Sequence, residues 1–165
     1  MSPVVQRILV PVDLAESREP ELDYAIAIAA QLRAELLLLA VIDTPATVNL
    51  VGHHGAAGHG AARDGDAKPG SGLRGSSFEQ ELQEEVEGKL QSAVDKAAEA
   101  GVRALGHLTF SEDVEEQILK EALVERVDLI LVRSRGRTGI MKALLGSTAG
   151  EILKAAPCPV LVARV

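Results

Sequence analysis

The chain has few aromatic residues and a single cysteine. Aromatic residues make up 2% of the 165 residues and are limited to Tyr24, Phe78 and Phe110, so the rings on which single-stranded nucleic acids stack are missing. One cysteine, Cys158, excludes an internal disulfide framework and a zinc site with several cysteine ligands. We interpret it as a small packing residue. The core must be built from Leu, Ile, Val and Ala.

Excess positive charge and long apolar runs are also lacking. The formal net charge is −7 at pH 7, and an acidic chain does not coat nucleic-acid phosphates without a concentrated basic face. Apolar runs such as Leu36–Ile42 are far shorter than the roughly 18 residues of a membrane-spanning helix. The N-terminus shows no secretory signal pattern. These features predict a soluble, cytoplasmic protein with no nucleic-acid partner and no membrane insertion.

Short apolar runs alternate with helical patterns along the chain. Continuous runs of Ile, Leu and Val predict four strands buried on both faces, and a half-polar run predicts a fifth strand nearer a sheet edge. In chain order the five are Arg7–Val12, Glu35–Ile42, the half-polar Val102–Thr109, Asp128–Val132 and Pro159–Val165. Apolar residues at three- and four-residue spacing predict helices between them. The order predicts one α/β domain, residues 1–165, with a doubly wound, five-stranded parallel sheet and helices on both faces.

Local signals mark the ends of two helices. Ser77 and Gln80 resemble a capping box at the start of the second helix, and Gly101 indicates its end. Asp113 and Glu116 indicate a cap at the start of the third helix.

Residues 44–77 interrupt this alternation. They hold eight of the fifteen glycines, a composition that buries too little apolar area to offset the entropy of ordering. We interpret them as a flexible Gly- and His-rich insertion. Its His53, His54 and His59 could bind zinc, copper or nickel, but a mobile loop lacks the supporting contacts of a specific site. The sequence therefore predicts no metal site, and His107 is interpreted as an isolated structural residue.

The segment after the fourth strand carries the strongest chemical signal. Between Leu129 and Gly150 there are four basic residues and no acidic one. Ser147 and Thr148 lie at the start of the next helix, where free N–H groups and the helix dipole attract anions. Three glycines allow close backbone approach to a ligand: Gly136, Gly139 and Gly146. These features predict a phosphate-binding loop, although the glycines could instead shape turns between solvated arginines.

The order and spacing of these segments resemble the universal stress protein family. Its nucleotide-binding branch carries the pattern G-x2-G-x9-G-[ST] after the fourth strand, and Gly136-x9-Gly146-Ser147 is similar to the second half of it. Pro11-Val12-Asp13 resembles the end of the family's first strand, and Val41 falls where the family places an apolar residue against the base. The resemblance covers about residues 1–43 and 78–165.

The resemblance implies a Rossmann-like fold, similar to adenine nucleotide alpha hydrolases, and an adenine-nucleotide-binding module in signalling or stress response. It places ATP or another adenine nucleotide, with Mg²⁺, between the ends of the first two strands and the basic loop. The binding residues it implies are Pro11, Val12, Asp13, Val41, Arg133, Gly136, Arg137, Gly139, Gly146, Ser147 and Thr148. By position alone, Asp13 could instead bond nearby loop N–H groups. No catalytic constellation is visible, so we expect at most slow ATP hydrolysis.

Arg133 departs from the family pattern, because it replaces the first glycine. Its side chain could occupy the pocket and block ATP, or it could reach outward and pair with phosphate. In the first case the chain would be an interaction protein that does not bind ATP. A third interpretation is a small hydrolase or transferase that uses the loop for a phosphorylated substrate.

The last predicted strand, Pro159–Val165, is expected to form a sheet edge, and an apolar edge is a pairing surface. The resemblance implies that this strand pairs antiparallel with its copy across a two-fold axis, which closes a homodimer. A further protein partner is expected, but the sequence does not identify it.

Overall fold

The structure is a computed structural model that describes residues 4–13, 19–43, 73–134 and 147–164. Strands and helices alternate through these residues in the predicted order. The elements are β1 (Arg7–Pro11), α1 (Pro20–Leu32), β2 (Glu35–Asp43), α2 (Leu73–Glu99), β3 (Ala104–Ser111), α3 (Val114–Val124), β4 (Leu129–Arg133), α4 (Ser147–Ala155) and β5 (Val160–Ala163). Every predicted strand is present, with ends that differ by no more than about two residues, the usual uncertainty of a strand boundary.

The strands form a parallel sheet in the order β3-β2-β1-β4-β5. The chain builds the sheet in one direction from β1 to β3 and in the other from β4 to β5, so the direction reverses between β1 and β4. At such a switch point the carboxyl ends of the two strands border a crevice in which α/β proteins bind ligands. The predicted fold class, a doubly wound α/β sheet, is confirmed.

Two aliphatic layers cover the sheet. On one face Leu22 of α1 and Leu90 of α2 pack against alternate residues of the strands, such as Ile8. On the other face Ile118 of α3 and Ile152 of α4 pack against the intervening residues. Burial on both faces explains why the central strands are continuous apolar runs.

Three helices end in the same backbone motif at the amino-terminal edge of the sheet. Each is followed by a residue of left-handed conformation, and the next N–H donates to the carbonyl five residues back. These left-handed residues are Arg33, Gly101 and Arg126, with φ of 55°, 76° and 50°. The arrangement is a Schellman motif, which satisfies the last carbonyls of each helix. The predicted end of α2 at Gly101 is thus confirmed.

The starts of two helices test the predicted caps. Asp113 caps α3 as predicted, since its Oδ1 accepts the N–H of Glu116 at 2.8 Å. The predicted capping box at Ser77 and Gln80 is wrong, because α2 already begins at Leu73. A capping box requires a non-helical first residue, whereas Ser77 lies inside the helix. No helix within the described ranges is long and apolar enough to cross a membrane.

Candidate functional site

The ends of three strands meet at the switch point. The parallel register of β1 and β2 pairs Pro11 with Leu39, and its continuation brings Asp13 beside Val41. The register of β1 and β4, continued in the same way, brings Asp13 beside Ser134. Two residues that the resemblance placed at a nucleotide, Asp13 and Val41, therefore lie at neighbouring strand ends on the carboxyl edge of the sheet.

The end of β1 presents one accessible polar side chain. The N–H of Val12 donates to the carbonyl of Leu39 at 2.9 Å, which fixes the chain beyond the last strand residue. Val12 is buried in the core layer under α1, whereas Pro11 is half-buried and Asp13 is exposed. Asp13 is thus the side chain of this segment that a ligand can reach, whereas Val12 is part of the core and anchors the segment to it.

Val41 continues the other core layer. It is half-buried and packs against the cluster under α3 and α4. The exposed part of the Val41 side chain is an apolar surface beside Asp13. This position is compatible with contact to a flat ring.

Arg133, at the end of β4, forms an ion pair with Glu21 in the first turn of α1. Its Nη1 lies 3.6 Å from Oε2 of Glu21, and the two side chains are 24% and 5% exposed. This distance is that of an ion pair rather than of a hydrogen bond. Leu129 and Leu131 of the same strand point to the core layer under α1, and Arg133 continues their alternation. The guanidinium therefore lies mostly under α1.

Glu21 was not identified by sequence reasoning. It is 3% exposed and lies one turn before Ala25 and two turns before Ala29, both of which are fully buried. A signal was available, since Glu21, Ala25 and Ala29 recur at four-residue spacing and the acidic residue extends an apolar stripe. A buried carboxylate requires a cationic partner, and the facing strand end supplies one in Arg133.

Negative charge accumulates at this edge. The pKa of Glu19, the residue that precedes α1, is raised by burial and next by the carboxylate of Glu21, with a smaller contribution from Asp13. Lys96 and Lys89 act in the opposite direction. The acidic groups around the start of α1 thus repel one another, and the cation Arg133 lies beside the most deeply buried of them.

Helix α4 begins at Ser147, where the sequence predicts an anion-attracting helix start. Because α4 follows β4, its first residues Ser147 and Thr148 belong to the carboxyl edge. The other predicted binding residues after β4 lie outside the described ranges: Gly136, Arg137, Gly139 and Gly146. Residues 44–72 of the predicted insertion, with His53, His54 and His59, also lie outside them.

Comparison with known proteins gives a consistent family match. A sequence model described as "Universal stress protein family" matches residues 5–164. The universal stress protein YxiE of Bacillus subtilis is 30% identical over 167 residues, which cover 96% of this chain and 98% of that protein.

Solved structures share the fold. The structure of MJ0577, a protein of Methanocaldococcus jannaschii, has a TM-score of 0.73 at 24% identity and covers 98% of this chain and 97% of its own. A universal stress protein of Archaeoglobus fulgidus, solved in complex with dAMP, has a TM-score of 0.61 at 19% identity, with coverage of 96% and 98%.

Proposed function

Because the chain belongs to the universal stress protein family, we propose that it binds an adenine nucleotide, ATP or a relative, at the carboxyl ends of β1, β2 and β4. Binding would act as a ligand switch in signalling or stress response, since a ligand shifts a protein toward the conformation that it binds better. The dAMP complex of the related Archaeoglobus protein supports the adenine class.

The observation that carries this proposal is the ion pair between Arg133 and Glu21. A side chain in place of the family's first glycine would obstruct a nucleotide if it projected into the crevice. Arg133 instead has about three-quarters of its surface covered and its Nη1 directed to a buried carboxylate of α1. The pair therefore favours an accessible pocket over a plugged one.

Arg133 also has the chemistry to contact phosphate from this position. A guanidinium carries five N–H donors in a fixed fork, so a group that pairs with Glu21 at one end can meet an anion at another. Glu21 would then set the orientation of Arg133 in the same way that an outer carboxylate orients a binding residue.

The remaining contacts follow from the chemistry of the side chains. The Asp13 carboxylate accepts hydrogen bonds, and it would bind a sugar hydroxyl or the adenine amino group. Val41 would contact the face of the base. Backbone N–H groups at Ser147 and Thr148, together with the basic loop that precedes them, would hold the phosphates. Mg²⁺, when bound, would neutralise phosphate charge.

The test is calorimetric titration of ATP and AMP, together with chromatography of any nucleotide released from denatured protein. We expect micromolar binding, a loss of at least about tenfold in Asp13→Ala because a charged hydrogen bond is removed, and no change in Asp95→Ala, an exposed carboxylate of α2. To test for a plug, Glu21→Gln/Arg133→Gly, which removes both charges of the ion pair, is titrated beside the wild type.

The plug test also separates the two functions. If the wild type binds nothing and the double variant gains binding, Arg133 blocks the pocket and the chain is an interaction protein. If neither protein binds, the nucleotide site is refuted.

We further propose that β5 forms the interface of a homodimer through the segment Pro159–Val165. Within the described sheet β5 is an edge strand, and its Val160, Leu161 and Val162 are only half-buried. An apolar edge is protected when it pairs with its own copy. Leu161→Lys should give a monomer in light scattering with an unchanged circular dichroism spectrum. A dimer that persists would refute this interface. The identity of any other protein partner has to come from a pull-down experiment.

A further inference from the structure

His107 has two carboxylates as neighbours. It lies on β3 and pairs in register with Leu39, whose side chain belongs to the core layer under α3. Its Nδ1 is 3.5 Å from Oε2 of Glu121 on α3. A potential ligand atom from each of His107, Glu121 and Glu125 lies within 4.8 Å of the other two. The interpretation of His107 as isolated is therefore wrong.

The spacing of Glu121 and Glu125 brings two like charges together. Residues four apart share one face of a helix, and like charges in that relation repel each other. Each carboxylate is also held from outside the cluster. Gln117 donates to Oε1 of Glu121 at 3.1 Å, which leaves Oε2 toward His107, and Arg7 donates to Oε2 of Glu125 at 3.1 Å. Outer hydrogen bonds of this kind orient the ligands of metal sites.

The distance between the imidazole and Glu121 is compatible with a shared ion. At 3.5 Å, Nδ1 and Oε2 are farther apart than in an ordinary hydrogen bond. Two ligand atoms about 2.1 Å from one tetrahedral zinc ion lie about 3.4 Å from each other. A single imidazole with two carboxylates suits zinc and similar transition metals, whereas magnesium and calcium prefer oxygen ligands alone.

We propose that His107, Glu121 and Glu125 bind a divalent transition-metal ion of the zinc type, with water as the fourth ligand. The three residues are all half-buried and come from one strand and one helical face, so folding brings them together. Glu125 follows the last residue of α3, toward the amino edge of the sheet, and β2 separates β3, the strand of His107, from β1. The ion would fasten β3 to α3, and it is independent of the nucleotide proposal.

The experiment is a calorimetric titration of Zn²⁺ into the full chain after EDTA treatment and buffer exchange. Because His53, His54 and His59 are also zinc-binding side chains, the titration uses a background variant in which all three are alanine. We expect one ion per chain. His107→Gln and Glu121→Gln should each weaken binding at least tenfold, since a direct ligand matters no less than an outer one. Glu116→Gln, an exposed carboxylate of the same helix, should bind like its parent.

Thermal unfolding gives a second measurement for the same variants. Zn²⁺ should raise the midpoint of the background protein, because the site forms only in the folded state, and the rise should vanish in Glu121→Gln, which keeps the shape of the side chain. The proposal is overturned if the background protein binds no zinc at micromolar concentrations, or if both ligand variants bind zinc as tightly as their parent.

Discussion

An arginine lies near each end of the sheet, and the two have different surroundings. At the amino end Arg7 donates through Nε to Glu35 and through Nη1 to both the backbone carbonyl and the carboxylate of Glu125, at 2.9 and 3.1 Å. At the carboxyl end Arg133 faces Glu21 at 3.6 Å. Arg7 thus joins β1 to β2 and to the end of α3, whereas the contact with Glu21 joins Arg133 of β4 to the first turn of α1.

The difference separates an end of the sheet with many hydrogen bonds from the end at which we propose that a nucleotide binds. At the amino end Asp128 also accepts the N–H groups of Gln6 and Arg7, at 2.9 and 3.0 Å. A cleft of about 710 Å³ lies there, and three of its lining residues are joined, because Arg7 donates hydrogen bonds to both Glu35 and Glu125. At the carboxyl end carboxylates crowd together and the pKa of Glu19 is raised.

Removing Glu21 is expected to change the free energy of unfolding more than any other substitution considered for the two ends of the sheet. Glu21→Ala would remove the buried carboxylate beside the mostly covered Arg133, and losing one partner of a buried pair costs about 3–5 kcal/mol. We expect urea denaturation to show a fall of that size in the free energy of unfolding. Glu21→Leu/Arg133→Leu should restore most of it, because apolar replacements of both partners are often neutral. A fall below about 1 kcal/mol would mean that the pair behaves as a surface pair.

Removing Arg7 should have a smaller effect on the same scale. Its side chain is 32% exposed, so water can reach the groups that lose their donor, and hydrogen bonds to charged groups contribute about 1.5–3 kcal/mol. We expect Arg7→Ala to lower the free energy of unfolding by about 2 kcal/mol, and high salt to reduce this difference. Arg7→Lys is the control, because lysine keeps the positive charge but lacks the planar set of N–H donors of the guanidinium. If Arg7→Ala lowers the free energy of unfolding more than Glu21→Ala does, the pair at the amino end contributes more to stability than the pair at the carboxyl end, contrary to our expectation.

The burial of Glu19, together with the neighbouring carboxylates at the carboxyl end, predicts a pH effect with a definite sign. Since the pKa of Glu19 is raised, the folded protein binds that proton more tightly than the unfolded chain, and stability is lost as pH rises through the folded value. Glu19→Gln should therefore raise the thermal midpoint at neutral pH and change it little below about pH 4.

Glu85 provides the control with the opposite sign. Its pKa is lowered by the hydrogen bond and charge of Lys89, so its ionised form favours folding above the unfolded pKa. Glu85→Gln should lower the midpoint slightly at neutral pH. If both variants shift the midpoint in the same direction, the raised pKa of Glu19 is not the cause of its effect.

The smallest expected effect concerns Cys158, at the amino end. Burial raises the pKa of its thiol, as does the Asp128 carboxylate, against a weaker opposing hydrogen bond from Ile130. The thiolate is the reactive form, so iodoacetamide should modify the folded protein several-fold more slowly than the urea-unfolded chain near pH 8. Asp128→Asn should reduce this difference in rate, because it removes one of the causes that raise the pKa of the thiol. Equal modification rates for the folded and the unfolded protein would contradict the prediction, because they would show that folding does not suppress the thiolate of Cys158.

Local signals account for the parts of the fold that were predicted well. The central strands are buried on both faces, and their apolar runs gave the correct positions. Strand β3 was placed two residues too early, because its half-exposed sequence has no strict alternation that fixes its ends. The caps at Asp113 and Gly101 depend on one or two residues each and were correct. The false cap at Ser77 shows that the same local pattern also occurs inside a helix.

The candidate site was predictable only in part. The neighbourhood of Asp13 and Val41 follows from the rule that parallel strands end at the same edge. The partner of Arg133 did not follow, because the contact with Glu21 depends on which face of β4 meets which turn of α1. The cluster at His107 was missed for a similar reason. The spacing of Glu121 and Glu125 is visible in the sequence, but the side of β3 on which the imidazole lies is not.

The left-handed residues that end three helices bear on how heat-tolerant this protein could become. Glycine occupies one of these positions at no steric penalty, whereas Arg33 and Arg126 adopt a conformation that costs an ordinary residue roughly 1–2 kcal/mol. A typical domain is stable by only about 5–15 kcal/mol. The protein is therefore less stable than its backbone fold allows. Replacing the two arginines by glycine would remove this strain and raise the stability without altering any residue of the proposed nucleotide site.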